Sequence, residues 1–214
     1  KNKKKLQPLL TKNTHTVSQD LSTSLGAQQL YEQTIAHFGF PDVLINNAGI
    51  AISSSVNTDA DLWNSSWNKT LNVNLGAPAY LCKCFINIKR NKNIHSRFRI
   101  INISSRAAFR GETEDFISYA CSKGGVVSLT KTIARSFGKK DNVLAFTIAP
   151  GFVKTEMIKD FLNKEGENYI KKGIVLDRLT EPKDISPVVS LIVSGKLDHA
   201  TGSTIDINGG SYLR

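Results

Sequence analysis

No stretch of the 214 residues is apolar enough over enough length to cross a bilayer, and the basic opening KNKKKLQPLL has no apolar segment behind it. Neither a membrane span nor a secretory leader is indicated. Cysteine is scarce: Cys82, Cys84 and Cys121 are odd in number and form no Cys-x-x-Cys. That excludes a disulfide framework and fits a reducing, cytoplasmic setting. The four histidines are scattered, and Cys82 and Cys84, two apart, would point to different faces of a helix, so no metal site is expected. The formal charge of +10 comes from lysines spread along the chain, without an arginine-rich or aromatic-interleaved stripe, and nucleic acid is not an expected partner. Methionine is rarer still, with Met157 alone in a chain that opens on Lys1, and no G-x-G-x-x-G occurs anywhere.

What is present is a soluble-globular balance, 40% hydrophobic and 21% charged, at a length suited to one domain over residues 1–214. Short charge-poor runs of Val, Ile and Leu alternate with longer amphipathic stretches. HTVS, PDVLIN, FRIINI, NVLAFTIAP and STIDIN read as strands. Helices are expected around Gly26 to Phe38, through DADLWNSSWNKTLNVNLGAPAYLCKCFINIKR with a bend near Gly76 and Pro78, through DFISYACSKGGVVSLTKTIARSF, and in TEPKDISPVVSLIV. This alternation, with strands apolar on both faces, predicts an α/β fold: a doubly wound parallel sheet with helices on each side. Ligands then bind at the carboxyl ends of the strands, where Asn46, Asn47, Gly49, Ser104, Ser105, Pro150 and Gly151 fall.

Tyr119 and Lys123, at i and i+4, share a face of the third of these helices, one turn apart. A phenol with a pKa of about 10 is a poor acid–base catalyst near neutrality, and lowering it by about three units takes roughly 4 kcal/mol. A lysine charge near 4 Å supplies about that much at an effective dielectric near 20. Ser105, at a strand end, can donate a hydrogen bond to a carbonyl as it becomes an alkoxide. Asn74, in NVNLG, can hold a bridging water behind the lysine. Together these groups can move a proton to or from a carbonyl/alcohol pair.

The ordered set NNAG, NVN, INISS, YACSK, APGFVKTEM and GSTIDINGG resembles the short-chain dehydrogenase/reductase family from about Thr16 to the end of the chain, and in particular carbonyl reductases similar to 3-oxoacyl-acyl-carrier-protein reductase. The resemblance implies a Rossmann-like NAD(P)-dependent oxidoreductase, commonly tetrameric, acting on a small carbonyl or alcohol, free or acyl-carrier-linked. It makes Tyr119 the general acid or base. Lys123 would lower the phenol's pKa and hold the nicotinamide ribose, Ser105 would orient the carbonyl, and Asn74 would complete a proton relay. Asp20, Asn47, Ala48 and Gly49 would line the adenosine side of the cofactor; Pro150, Gly151 and Thr155 would hold the nicotinamide end.

Two features depart from the family pattern. The interval between Ser105 and Tyr119 is one residue longer than its commonest form, which keeps Ser104 as an alternate. The glycine-rich phosphate loop is missing, so an N-terminally truncated domain is expected, without a first βαβ segment of roughly 35 to 40 residues. HTVS would then lack a neighbour, DVLIN would become an edge, and the chain as it stands would fold poorly and bind a dinucleotide weakly. Lys1 would follow the second strand, where a basic side chain meets the 2′-phosphate of NADP; NADP is thus favoured over NAD. A non-catalytic remnant of the same fold is the alternative. Between Glu156 and Arg178 a polar stretch stands where the family has a mobile substrate lid, and Lys154, Lys159, Lys164, Lys171 and Lys172 could attract an acidic carrier or only solubilise the surface.

Overall fold

The computed structural model describes residues 13–214; the expectations for Lys1 and the lysine-rich opening lie outside them. Four parallel strands stand side by side in chain order: β1 (Val43–Asn46), β2 (Phe98–Ile103), β3 (Val143–Pro150) and β4 (Thr204–Ile207). Each is one of the charge-poor runs, and each ends within a residue or two of the small polar residues that come after it. HTVS is not a strand. Residues 14–20 carry no regular structure, and β1 has no outer neighbour among the described residues. Extended backbone without a ladder partner leaves its N–H and C=O groups to water, so β-forming composition alone does not hold it.

Period-two alternation sends β2 and β3 side chains to opposite faces. On one face Phe98, Ile100, Val143 and Ala145 meet Leu81, Cys82, Phe85 and Ile86 of α3 (Ala77–Asn91) and Ile133 of α5 (Ile117–Asp141), with Leu30, Tyr31 and Ile35 of α1 (Ser24–Phe38) beyond them. On the other, Ile101, Phe146 and Ile148 meet Ile192 of α8 (Pro182–Val193), flanked by Ile185 and Val188. Burying each such side chain is worth about 1.5–3 kcal/mol. The sheet is therefore helix-covered on both faces, the doubly wound arrangement.

The remaining helices are α2 (Ala60–Leu71), α4 (Ala107–Arg110), α6 (Lys159–Glu165) and α7 (Glu167–Lys171). The expected bend near Gly76 and Pro78 takes a different form. Helical dihedrals continue from α2 into α3 through a π-helical turn, Asn72–Gly76. Pro78 has no N–H to give the Asn74 carbonyl in an α-helical ladder, and the wider turn accommodates that loss. Leu75 of this turn packs against Gly125 on α5, where an added Cβ would come within 2.6 Å of its Cδ2. A small residue on α5 thus lets the turn carrying Asn74 sit close to the helix carrying Tyr119 and Lys123.

Candidate active site

The parallel register aligns the strand ends: Asn46 stands opposite Asn102, and Pro150 opposite Ile207. Asn46 Nδ2 donates to Asn102 Oδ1 at 2.7 Å, and Asn102 Nδ2 donates to Thr130 Oγ1 on α5 at 2.9 Å. This polar chain, buried at Asn102 and Thr130, ties the crest of the sheet to the helix of Tyr119 and Lys123.

Lys123 is only 4% exposed. Its ammonium donates to the Ile103 carbonyl at 2.9 Å and lies 5.7 Å from the centroid of the Tyr119 ring. Burial pulls its pKa down to about 8. Ser104, the alternate to Ser105, spends its hydroxyl on the Lys123 carbonyl at 2.8 Å and so pins the helix rather than the crevice. The Ser105 hydroxyl accepts from Ala107 N–H at 3.1 Å and acts on the Tyr119 phenol to lower its pKa.

Tyr119 behaves differently from the simple lysine argument. Burial pushes the phenol up; the Ser105 hydrogen bond pulls it down, Glu112 raises it and Arg106 lowers it. Arg106 is a further cation that favours the phenolate, a residue the spacing argument missed. The Lys123 ammonium turns toward the Ile103 carbonyl.

Asn74, 1% exposed, clamps the loop after β1. Its Oδ1 accepts from Ile50 N–H at 2.8 Å, while Nδ2 donates to the Ile50 carbonyl at 2.9 Å and to Ser122 Oγ at 3.0 Å. Ser122 in turn donates to the Tyr119 carbonyl at 2.7 Å. Gly49 closes the group: a Cβ there would sit 3.4 Å from both Asn74 Oδ1 and Lys123 Nζ. Gly49, Asn74, Ser105, Tyr119 and Lys123 are thus brought together at one edge of the sheet.

The other expected residues stand around this centre. Asn47 and Ala48 are exposed beside Gly49, and Pro150 is buried at the end of β3. Gly151 meets the main chain of Asn208 so closely that a Cβ would lie 2.9 Å from its carbonyl oxygen. Thr155 is exposed, its hydroxyl 3.3 Å from the Val153 carbonyl. Asp20 is exposed and outside the Tyr119 cluster. Its Oδ1 accepts from Ser22 N–H at 2.9 Å, and Ser22 is tied to the π-helical turn by Asn72 Nδ2 at 3.1 Å. Thr23, not Asp20, caps α1.

In the stretch from Glu156 to Arg178, Phe161 stacks on Phe152 at 5.4 Å and Tyr169 meets Phe161 at 6.2 Å. Lys154, Lys164 and Lys171 each face a carboxylate, which reduces what they offer an acidic partner. A cavity of about 710 Å³ lies between Arg178, Asp184 and the C-terminal residues from Asp206 to Arg214; it does not include Tyr119 or Lys123. No group of metal-ligating side chains and no membrane-spanning helix occurs among the described residues.

Residues 1–212 match a family model described as enoyl-(acyl carrier protein) reductase. A 3-oxoacyl-(acyl-carrier-protein) reductase of Buchnera aphidicola is 33% identical over 177 residues, covering 83% of this chain and 69% of that protein. The human dehydrogenase/reductase SDR family member 4 is 30% identical over 188 residues, 87% of this chain and 65% of that one. Among solved structures, a 4-hydroxyisoleucine dehydrogenase complexed with NADH superposes with a TM-score of 0.85 at 30% identity, covering 98% of this chain and 85% of that one. A blue fluorescent protein from a metagenomic library, in complex with NADPH, gives 0.79 at 25% identity, with 91% and 74% covered.

Proposed function

The chain belongs to the short-chain dehydrogenase/reductase family, and from that premise we propose that it is an NAD(P)-dependent oxidoreductase in which Tyr119 exchanges the proton of a carbonyl/alcohol pair. The observation that carries this reading is the grouping of Tyr119 with the buried Lys123, 5.7 Å from its ring centroid, and with the strand-end Ser105 at the carboxyl edge of a parallel sheet.

The residues fit a nicotinamide cofactor. Gly49 leaves space against Lys123 Nζ that a side chain would fill, Asn47 and Ala48 present an open ledge beside it, and the Thr155 hydroxyl is exposed past Gly151. Asn47, Ala48, Gly49 and Asp20 would hold its adenosine side, Lys123 its ribose, and Pro150, Gly151 and Thr155 its nicotinamide end. When bound, the reduced cofactor supplies the hydride, that is, both electrons, to the carbonyl carbon. NADP is the proposed form, with NAD as the second; solved relatives carry NADH in one case and NADPH in another.

Ser105 and Tyr119 hydrogen-bond the substrate oxygen, which strengthens as charge gathers there. Tyr119 then gives its phenolic proton to that oxygen and the alcohol leaves; oxidation runs the same steps backward. The phenolate is a transient that the nearby cations, Arg106 and the Lys123 ammonium, hold by charge until a proton returns. Asn74 has committed its side chain to Ile50 and Ser122, so a relay water there would meet its main-chain carbonyl, which Pro78 deprives of its α-helical donor.

The test is Tyr119→Phe. Reduction of a ketone by NADPH or NADH should fall by about two to four orders of magnitude, the range for a lost general acid, with cofactor affinity little changed. Turnover within tenfold of the parent would refute the assignment.

A further inference from the structure

Arg106 favours the phenolate, yet that role leaves its guanidinium donors without a partner. It comes directly after Ser105, and its main-chain N–H donates to the Pro150 carbonyl at 3.0 Å, so it is fixed across the ends of β2 and β3. It is 8% exposed, with its guanidinium 4.5 Å from the centroid of the Phe152 ring. No carboxylate among the described residues lies within ion-pair reach, and residues 1–12 contain no Asp or Glu. Glu112, the nearest acid to act on it, is held by Arg110 at 2.7 Å. Burial and the like charge of Arg110 both oppose its ionised form.

A buried, unpaired guanidinium is expensive to maintain. Its planar fork matches a carboxylate better than any other side chain does. The aromatic face of Phe152 holds the plane on one side and leaves its donors for a partner. None of its nitrogens is among the fully buried side-chain atoms that lack a hydrogen-bond partner. Arg106 follows Ser105 directly, and Ser104 Oγ ties the same turn to the Lys123 carbonyl on the helix of Tyr119, so an anion bound by Arg106 and a carbonyl at Ser105 and Tyr119 can belong to one small molecule.

We infer that Arg106 anchors a carboxylate on the substrate, next to the carbonyl reduced at Tyr119, and that the substrates are small oxo acids and their hydroxy counterparts rather than neutral ketones or carrier-bound thioesters. This rests on the Tyr119 reading and narrows it.

The experiment pairs acids with their neutral methyl esters. Acetoacetate and levulinate are compared with methyl acetoacetate and methyl levulinate, with NADPH or NADH, using the full-length protein and its Arg106→Met variant. The parent should prefer each acid by about tenfold or more in kcat/KM, the worth of a hydrogen bond to a charged group. The variant should bring the ratio near unity, chiefly by raising KM for the acid. Any general effect of Arg106 on the phenol cancels in that ratio. A parent indifferent to the acid, or a ratio unchanged in the variant, overturns the inference. So does a loss that falls on cofactor affinity, since the anion would then be a cofactor phosphate.

Calorimetric titration of levulinate into protein saturated with oxidised cofactor gives a readout without turnover. Binding should weaken about tenfold or more in the variant, and equal binding overturns the inference. Protein that reduces nothing yet binds levulinate through Arg106 would sink the Tyr119 assignment and leave the anion site standing.

Discussion

Lys123 should make the protein less stable than a version without it, and the deficit should depend on pH in a defined direction. The side chain is 4% exposed, and burial holds its pKa at about 8 against an ordinary 10.5. Each pH unit of that gap is worth 1.36 kcal/mol, so keeping the ammonium charged in the folded protein costs about 3 kcal/mol below pH 8. Between pH 8 and 10.5 the unfolded chain holds the proton while the folded chain has released it. More protons bound in the unfolded state means that stability rises with pH across this window. Lys123→Met removes the charge and keeps most of the volume, losing only the hydrogen bond to the Ile103 carbonyl, about 1 kcal/mol. The variant should therefore be about 2 kcal/mol more stable at pH 7, and the advantage should reach zero at about pH 9.5 and give way to a small deficit, from the lost hydrogen bond, by about pH 10.5. Urea denaturation of both proteins without added cofactor, at pH 7, 9 and 10, measures the difference directly, provided the slopes agree. A variant that is less stable at pH 7, or an advantage that is the same at pH 7 and 10, would refute the reasoning. The same change should cost turnover, which is how a residue kept for function against stability behaves.

Asp198 bridges Arg97 at 2.6 Å and Arg99 at 2.8 Å, and those hydrogen bonds hold its carboxyl at about 2. The stabilisation is present above the ordinary 3.8 and lost as pH falls toward 2. Asp198→Asn should cost about 1–2 kcal/mol at pH 7, after discounting for the half-exposed Arg97, and should flatten the acid limb of a stability–pH curve; equal denaturation midpoints at pH 7 would count against it. Gly151→Ala would drive a Cβ against the Asn208 main chain, carbonyl oxygen at 2.9 Å and Cα at 3.0 Å. Because backbone cannot swing aside as a side-chain tip can, the melting temperature should drop by roughly 3–10 °C, and an unchanged melt would show that the β3–β4 end is looser than it looks.

The range of the forces involved decides which features are legible in the sequence. DVLIN, FRIINI, NVLAFTIAP and STIDIN are legible as strands because they are short runs rich in β-branched apolar residues, most strongly in the two central strands that are buried on both faces, and the four strands fall on them. HTVS has the same β-branched flavour and is not a strand, because a ladder depends on a neighbour that no local pattern encodes. Tyr119 and Lys123 are legible as a pair because the helix period alone puts them on one face. The direction of the lysine is not, because the carbonyl that draws its Nζ belongs to Ile103, twenty residues away on a strand.

Arg106 is the sharper case. In sequence it is one more basic residue after two serines. Its burial depends on Phe152 arriving from the far end of β3, and its tether is the Pro150 carbonyl. Both contacts are set by the register of β2 against β3, which pairs Ile103 with Ile148 and leaves the residues beyond each strand to meet. The helix period therefore identifies the group proposed to move the proton, while strand register decides which charge stands near it. A substrate preference written by Arg106 would be invisible to any motif that ends at the tyrosine and the lysine.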